Sequence, residues 1–188
     1  MKLLLFDREQ ADESLTPESV TLLTDSALLH PGNPLFIPDF APDFIIDIMP
    51  AITVNRLGKS IPCRFASRYY SVLSLIARVV PVIDGEEVRH GNPTLTNFDN
   101  AVITGPTIPL DSIPEKLSLT CDGKEIILDT QKCLFDQAIE LLSNNITLKI
   151  GDIIATSRLP IKIPAKIDSR VEITGCSNAT TFLKFRMK

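Results

Sequence analysis

Fourteen prolines are spread along this chain of 188 residues, and they outnumber its eight glycines. Because proline lacks a backbone N–H and breaks the interior of a helix, this distribution excludes a fold built from long helices. Many short elements joined by rigid turns are expected instead. Five prolines fall in one stretch, at positions 31, 34, 38, 42 and 50, and between them the sequence predicts short strands at 35–37 and 44–48.

Hydrophobic patterning along the rest of the chain predicts more strands. The clearest segment is 116–128, where Leu117 and Leu119 alternate with polar residues before the turn signal Asp122-Gly123, as in a hairpin. The N-terminal residues 2–6 are predicted to form a buried strand, and further strands are expected at 51–59, 148–154, 171–174 and 181–185.

Helical patterns are few and short. Residues 64–70 are compatible with a helix, while 72–77 fit either its continuation or a strand. A short helix or loop is expected near Pro17, and Asp129 or Thr130 is suited to cap an amphipathic helix that runs to about Asn144. The predicted fold class is therefore α+β, mainly β.

Composition and charge narrow the classes of partner. The chain is 44% hydrophobic and 22% charged, which is typical of a globular protein, and its length fits one domain over residues 1–188. A net charge of -4 provides no basic field for nucleic acid. No apolar run is long enough for a membrane helix, and the acidic residues from Asp7 onward end the N-terminal run too early for a signal peptide. A cytoplasmic protein is expected.

Histidine and cysteine are too scarce for most metal centres. The two histidines are His30 and His90, and the four cysteines include no Cys-x-x-Cys pair, which excludes a zinc ribbon or a thioredoxin-type site. We expect Cys121 and Cys133 to be buried as small apolar residues. A lone loop histidine such as His90 is expected to be solvated, and the carboxylates at 84–87 are expected to form a charged loop face.

Several motifs, in order, resemble the fumarylacetoacetate hydrolase family. They are the segments LFIPDF (35–40), RLGKSIP (56–62), RFASRYY (64–70), NFDN (97–100), TGP (104–106) and TLKIGDIIAT (147–156). The resemblance covers about residues 25–188 and leaves 1–24 as a divergent N-terminal segment. It implies a mixed β-sandwich roll of that family's C-terminal domain type, a homodimer, and a magnesium or manganese ion that holds a 2-oxo or β-diketo acid.

The resemblance also implies where metal ligands would lie. The family's Glu-x-Glu pair falls on Asp47 and Met49, and the third carboxylate falls on or beside Arg78. A methionine thioether has little affinity for a hard ion, and an arginine repels one. We expect Arg78 to pair with Asp47 or Asp99 and so to fill the space of the metal.

The other catalytic positions of the family are substituted as well. Thr96 stands where the family has a lysine, just before the Phe-Asp segment that contains Asp99, and residues 1–13 contain no histidine. His30 lies outside the family's pattern, and the loop after the Gly-Asp strand is altered to 155–158, which ends at Arg158. The sequence therefore predicts no catalytic residue, no metal and no cofactor, but only former metal and substrate positions: Asp47, Met49, Arg78, Thr96, Asp99 and Arg158.

Three functional classes stay open from the sequence. The first is a catalytically inactive relative that uses the old cavity, with Arg78 and Arg158, to bind a small carboxylic acid or a protein partner. The second is an active metal-dependent hydrolase, decarboxylase or isomerase with displaced ligands. The third is a structural subunit of a dimer.

Overall fold

The computed structural model describes residues 1–29, 32–176 and 180–188, so the prediction about His30 lies outside the described residues. Within them the chain is mainly strands. In chain order these are β1 (Lys2–Phe6), β2 (Val20–Thr24), β3 (Leu28–Leu29), β4 (Asp43–Thr53), β5 (Val72–Ile83), β6 (Glu86–Glu87), β7 (Val102–Thr104), β8 (Ile108–Pro109), β9 (Lys116–Cys121), β10 (Lys124–Asp129), β11 (Ile153–Ala155), β12 (Lys162–Pro164), β13 (Arg170–Gly175) and β14 (Thr181–Arg186).

Helices connect these strands and are short. The α-helices are α1 (Cys63–Ala66), α2 (Pro93–Thr96) and α3 (Phe135–Asn145), and 3-10 turns lie at Pro17–Ser19, Asp25–Ala27, Ser67–Tyr69, Leu110–Ser112 and Thr130–Cys133. In the part of the chain that the structure describes, no helix has the length and apolar character needed to cross a membrane.

The strands form two sheets. The larger has the order β2-β1-β11-β4-β5-β7-β3, with β12 paired to β4 and with β6 and β8 paired to β5. The smaller has the order β10-β9-β13-β14. Parallel pairs join β1 to β11 and β3 to β7, while β4 and β5 form a long antiparallel pair in the middle of the larger sheet. This mixed arrangement confirms the predicted α+β, mainly β, fold class.

The two faces of the larger sheet carry different cores. Alternate residues of β4, among them Ile46 and Ile48, pack in a large core that also takes in the second sheet and α3. The intervening residues, such as Met49 and Ala51, belong to a second, smaller core. Because successive side chains of a strand point to opposite faces, the smaller core fills the inside of the rolled sheet.

Side-chain and backbone hydrogen bonds bring the two ends of the larger sheet together. Asn97 Oδ1 accepts from the backbone N–H of Thr24 at 3.0 Å, and the backbone N–H of Asn100 donates to Ser26 O at 3.1 Å. These contacts join the end of β2 to the loop before β7. The sheet is thereby a nearly closed roll, as the resemblance implies.

Most of the predicted elements are present. The hairpin at β9 and β10 is confirmed, β1 is a buried strand, and 64–70 is helical through α1 and a 3-10 turn. The open alternative at 72–77 is resolved as a strand, because this segment is the start of β5. As predicted, Asp129 is a capping residue: it accepts from the backbone N–H of Gln131, at the start of the 3-10 turn Thr130–Cys133. Leu134, at φ 53°, separates that turn from α3.

The expectation that prolines mark strand ends is wrong in the centre of the sheet. Pro50 lies inside β4 and Pro81 inside β5. One edge of β4 pairs with β12 at residues 45–47 and with β11 at residues 51–53. Pro50 lies in the gap between these two partner strands. On β5, β7 pairs with 76–78 and β6 with 82–83, so Pro81 lies in a second gap. The missing N–H therefore interrupts no ladder.

Three other predicted strands are corrected. Residues 35–37 make only an isolated bridge, between Leu35 and Met187, and do not form a strand. The strand predicted at 51–59 ends at Thr53 because it is the continuation of β4, and the strand predicted at 148–154 begins only at Ile153.

Gly105, just after β7, lies directly against the backbone of β14 and allows a test of the packing. A Cβ built on Gly105 would lie 1.8 Å from the carbonyl oxygen of Phe182 and 3.1 Å from that of Leu75, both backbone atoms. We expect Gly105→Ala to lower the free energy of unfolding by about 3 kcal/mol in urea titration. Gly123→Ala, in the hairpin turn with no atom within 4 Å, serves as the control and costs about 1 kcal/mol. Equal losses would contradict this account.

Candidate functional site

Charged side chains cluster at one end of the inside of the roll. Asp47 on β4 lies directly opposite Arg78 on β5, and both are buried on the face that also carries Met49. The structure therefore brings together three of the positions singled out from the sequence. Met49 packs in the small apolar core, where its thioether fills space among residues such as Ala51 and Ile76.

The cation that holds Asp47 is Arg89, which follows β6. Its Nε lies 2.9 Å from Asp47 Oδ2 and its Nη2 3.1 Å from Oδ1, a bidentate ion pair. Arg89 Nη1 contacts Glu87, and Arg89 Nε is 3.6 Å from Asp7 Oδ1. Burial by itself would lower the pKa of Arg89, but hydrogen bonds to Asp47 and Glu87 raise it overall.

Arg78 is buried but does not make the ion pair expected of it. Its side chain is 2% exposed, and its Nη2 donates to the backbone oxygen of Arg89 at 2.6 Å. Burial lowers the pKa of Arg78 to about 10, although the charges of Asp7 and Asp47 act in the opposite direction. The predicted pairing of Arg78 with Asp47 or Asp99 is thus wrong, because the guanidinium of Arg89 donates to both carboxylate oxygens of Asp47 instead.

Asp7, just after β1, connects this cluster to two further side chains. Arg158 Nε lies 3.2 Å from Asp7 Oδ1, and His90 Nε2 lies 2.7 Å from Oδ2. The other ring nitrogen of His90 is 3.1 Å from Thr21 Oγ1. Although 41% of the His90 side chain is exposed, both ring nitrogens have partners within the chain, which corrects the expectation of a merely solvated histidine.

Two of the singled-out positions lie elsewhere. Thr96 is buried in α2, where its hydroxyl donates to the backbone oxygen of Asn92 at 3.1 Å. Asp99 is exposed in the turn before Asn100. Neither residue makes a hydrogen bond or an ion pair with the cluster around Arg89 in the described part of the chain.

A cavity of about 450 Å³ opens beside this cluster. Asp47 and Arg158 line it, together with the cations Lys132 and Lys162 and an apolar wall at 159–161. The Arg158 side chain is 16% exposed, and among the described residues its guanidinium makes ion pairs with Asp7 and Glu9 but no hydrogen bond. Its Nε and Nη2 face these two carboxylates, whereas Nη1 has neither a hydrogen bond nor an ion pair among the described residues.

The side chains at this site do not fit a divalent metal ion. No group of three or more His, Cys, Asp or Glu side chains suited to hold a metal occurs among the described residues. The nearby carboxylates, Asp7, Asp47 and Glu87, all face the guanidinium of Arg89. Magnesium is bound by several oxygen ligands, and a fixed positive charge amid these oxygens opposes it.

No sequence pattern indicated Asp7, Glu87 and Arg89 as members of this site. Glu87, expected to be part of a charged loop face, instead bridges Arg89 and Lys162, whose Nζ is 2.7 Å from Glu87 Oε1. The available signal was Asp47 itself, a carboxylate in an otherwise apolar strand, which requires a buried cation. The sequence does not indicate which loop supplies that cation.

Comparisons with known proteins identify the class of fold. No protein-family model matches the chain. It is 27% identical over 175 residues to an uncharacterized protein of Pyrococcus horikoshii, covering 88% of this chain and 76% of that protein. An uncharacterized protein of Pyrococcus abyssi is likewise 27% identical over 178 residues, with 88% and 78% covered.

Solved structures give the fold in more detail. A Yersinia pestis CO92 protein named for the fumarylacetoacetate hydrolase family matches with a TM-score of 0.78 at 18% identity, covering 100% of this chain and 92% of that one. The fumarylpyruvate hydrolase of Pseudomonas aeruginosa, solved with Mn2+ and pyruvate, matches with a TM-score of 0.74 at 14% identity, covering 100% and 89%. The fold is therefore that of the fumarylacetoacetate hydrolase family, as the sequence motifs implied.

The Asp47–Arg89 pair can be tested by a double-mutant cycle. We expect Asp47→Ala to lower the free energy of unfolding by about 3–5 kcal/mol, because it leaves much of the buried charge of Arg89 uncompensated. Arg89→Met should cost a similar amount, and the double variant Asp47→Ala with Arg89→Met should cost less than the sum. Urea titration measures all three. Additive losses would show that the two side chains do not interact.

Glu87 gives the site a defined dependence on pH. Burial tends to raise the pKa of Glu87, but hydrogen bonds from Lys162 and Arg89 lower it below its ordinary value of 4.5. Its contribution to stability is therefore complete above about pH 4.5 and is lost as the pH falls further. We expect the stability difference between wild type and Glu87→Gln to shrink below pH 4.5 in urea titrations. Glu86→Gln, at the exposed neighbour, should leave the profile unchanged.

Proposed function

We propose that this chain is a divergent, catalytically inactive member of the fumarylacetoacetate hydrolase family that binds a small organic carboxylate without a metal ion. The fold and the ordered motifs support the membership. The loss of catalysis is inferred from Met49, Arg78 and Thr96, which stand where the resemblance implies two metal ligands and a lysine.

The observation that supports the binding proposal is the position and the hydrogen bonding of the Arg158 guanidinium. Its guanidinium lines the cavity, is largely withdrawn from solvent, and makes no hydrogen bond among the described residues. A planar guanidinium binds a carboxylate through two parallel N–H···O bonds. Arg158 is therefore the anchor for the carboxylate of a ligand.

The remaining walls of the cavity suit the same ligand. Lys132 and Lys162 bring the cations of the lining to three, against the two carboxylates Glu9 and Asp47, and residues 159–161 supply an apolar surface for a short carbon chain. A volume of about 450 Å³ lies within the range of small-molecule sites. The cavity thus favours a small acid over a peptide or a polymer.

Arg89 takes the place that a metal would hold in an active relative. It neutralises Asp47 and Glu87 with a charge that is permanent and cannot exchange ligands. A guanidinium does not activate water as a bound metal ion does. Binding without hydrolysis follows from this replacement.

The hydrogen-bonded pair of His90 and Asp7 favours a second candidate, an active hydrolase, decarboxylase or isomerase with displaced groups. A histidine oriented by a carboxylate is a common general base. Against this role, both ring nitrogens of His90 already have partners within the chain. Homodimerisation, a cytoplasmic location and a single domain over residues 1–188 stay predictions from the sequence.

Calorimetry in the presence of EDTA tests the proposed function. We expect a 2-oxo or 2-hydroxy acid from a panel of mono- and dicarboxylates to bind, and Arg158→Ala to weaken that binding at least about tenfold. Arg170→Ala, which removes an exposed arginine on β13, is the matched control and should not change the affinity. A metal ion bound near stoichiometry, or binding abolished by EDTA, would overturn the proposal in favour of the second candidate.

A further inference from the structure

Positive charge is concentrated on a surface that lies outside the 450 Å³ cavity. Residues 48–83 contain no aspartate or glutamate, although the whole chain has a net charge of -4. Within this stretch Arg56, Lys59, Arg64 and Arg68 are exposed, and none of the four makes an ion pair with another described residue. Their charges therefore face solvent without a counter-charge from the described chain.

Aromatic rings hold three of these side chains in place. The guanidinium carbons of Arg64 and Arg68 lie 4.8 Å and 4.9 Å from the centroid of the Phe65 ring, so they are less than 10 Å apart. The guanidinium carbon of Arg56 lies 5.9 Å from the centroid of the Tyr69 ring. A guanidinium that stacks on a ring keeps its N–H donors at the edge of its plane. These donors can still bind the oxygens of a phosphate or a carboxylate.

Two exposed aliphatic side chains lie next to these cations. Leu57 is 62% exposed and Ile150 is 70% exposed. Gly58 and Leu148 form an isolated antiparallel bridge, with backbone hydrogen bonds of 3.0 Å and 2.8 Å. Leu57 directly precedes Gly58, and Ile150 follows two residues after Leu148. The two aliphatic side chains are thus carried by adjoining segments, on the same side of the bridge.

Backbone packing joins these segments to the arginines. A Cβ built on Gly58 would lie 2.4 Å from Tyr69 Cε1, and the backbone N–H of Asn55 donates to Tyr69 O at 2.8 Å. The turn that carries Leu57 therefore packs against the 3-10 turn that carries Arg68. Lys149, next to Ile150, is a fifth exposed cation. We use the term basic surface for the five cations together with the two aliphatic side chains: Arg56, Leu57, Lys59, Arg64, Arg68, Lys149 and Ile150.

The carboxylates of α3 that contact the neighbourhood of α1 have partners of their own. Asp136 accepts from the hydroxyl of Tyr70 at 2.9 Å, and Glu140 accepts from the backbone N–H of Cys63 at 3.0 Å. Neither carboxylate makes an ion pair with the basic surface in the described part of the chain. The charge of that surface is therefore available to an external anion.

We propose that the basic surface docks on a membrane that contains anionic lipids. Lysines and arginines near such a membrane are attracted by its negative surface potential. Apolar side chains beside them gain free energy by entering the boundary between headgroups and acyl chains, which is the role of Leu57 and Ile150. A nucleic acid would use the cations but has no need of two exposed aliphatic side chains. The proposal does not rest on the proposed function, because none of these residues lines the cavity.

Flotation of the full chain with lipid vesicles tests this docking. We expect vesicles of phosphatidylcholine with about 30% phosphatidylserine to bind the chain at low salt, and pure phosphatidylcholine vesicles to bind it at least about tenfold more weakly. The charge variant, Arg64→Glu with Arg68→Glu, should weaken binding to the mixed vesicles at least about tenfold. The apolar variant, Leu57→Asn with Ile150→Asn, should weaken it by a similar factor.

Matched controls make the same changes elsewhere on the surface. Lys116→Glu with Lys124→Glu alters two exposed lysines of the hairpin, and Ile127→Asn with Ile167→Asn alters side chains that are 52% and 71% exposed. Both control variants should bind the mixed vesicles as wild type does.

Two results would overturn the proposal. The first is a wild-type chain that does not bind the mixed vesicles at low salt, and this result needs no variant. The second is full vesicle binding by the apolar variant, which would reduce the surface to a nonspecific polyanion site. Binding of a single-stranded RNA oligonucleotide that is tighter than vesicle binding and unaffected in the apolar variant would likewise replace the membrane by a nucleic acid.

Discussion

A carboxylate buried at one end of the rolled sheet is the constraint on which this site depends. Asp47 is placed on the inner face by the alternation of β4, and a charge withdrawn from water must be paired and hydrogen-bonded. Arg89 provides both through two N–H···O bonds. The segment after β6 is held over the end of the roll by that ion pair, and the hydrogen bonds of His90 to Asp7 and Thr21 secure it further.

In the function we propose, Arg89 keeps the charge balance of a metal site without the chemistry of a metal ion. A metal ion exchanges ligands and offers open positions to substrate and water, whereas a guanidinium offers only hydrogen bonds in a fixed plane. Arg89 binds Asp47 and Glu87, and at the cavity Arg158 forms ion pairs with Asp7 and Glu9 but makes no hydrogen bond among the described residues. In the function we propose, the site recognises an acid through Arg158 while its own carboxylates are held within the chain.

The sequence was sufficient for the fold class, the hairpin and the meeting of Asp47 with Arg78, because these depend on local alternation and on the order of motifs. It was insufficient for the partners of Asp47. Arg89 and Asp7 come from loops whose positions are set by long-range packing, and a loop's own residues carry no periodic signal. The helix prediction from Asp129 failed in part for a similar reason, since Leu134 adopts a left-handed conformation, at φ 53°, that its apolar pattern does not reveal.

The prolines within the central strands connect the fold to the site. Pro50 and Pro81 lie at the points where β4 and β5 change from one partner strand to another. The strands beyond those points are β12, which places Lys162 opposite Asp47, and β6, which carries Glu87. Because Lys162 and Glu87 then form an ion pair, the two short strands are joined to each other. The partner changes in β4 and β5 thus bring a lysine and a carboxylate to the buried Asp47–Arg89 pair.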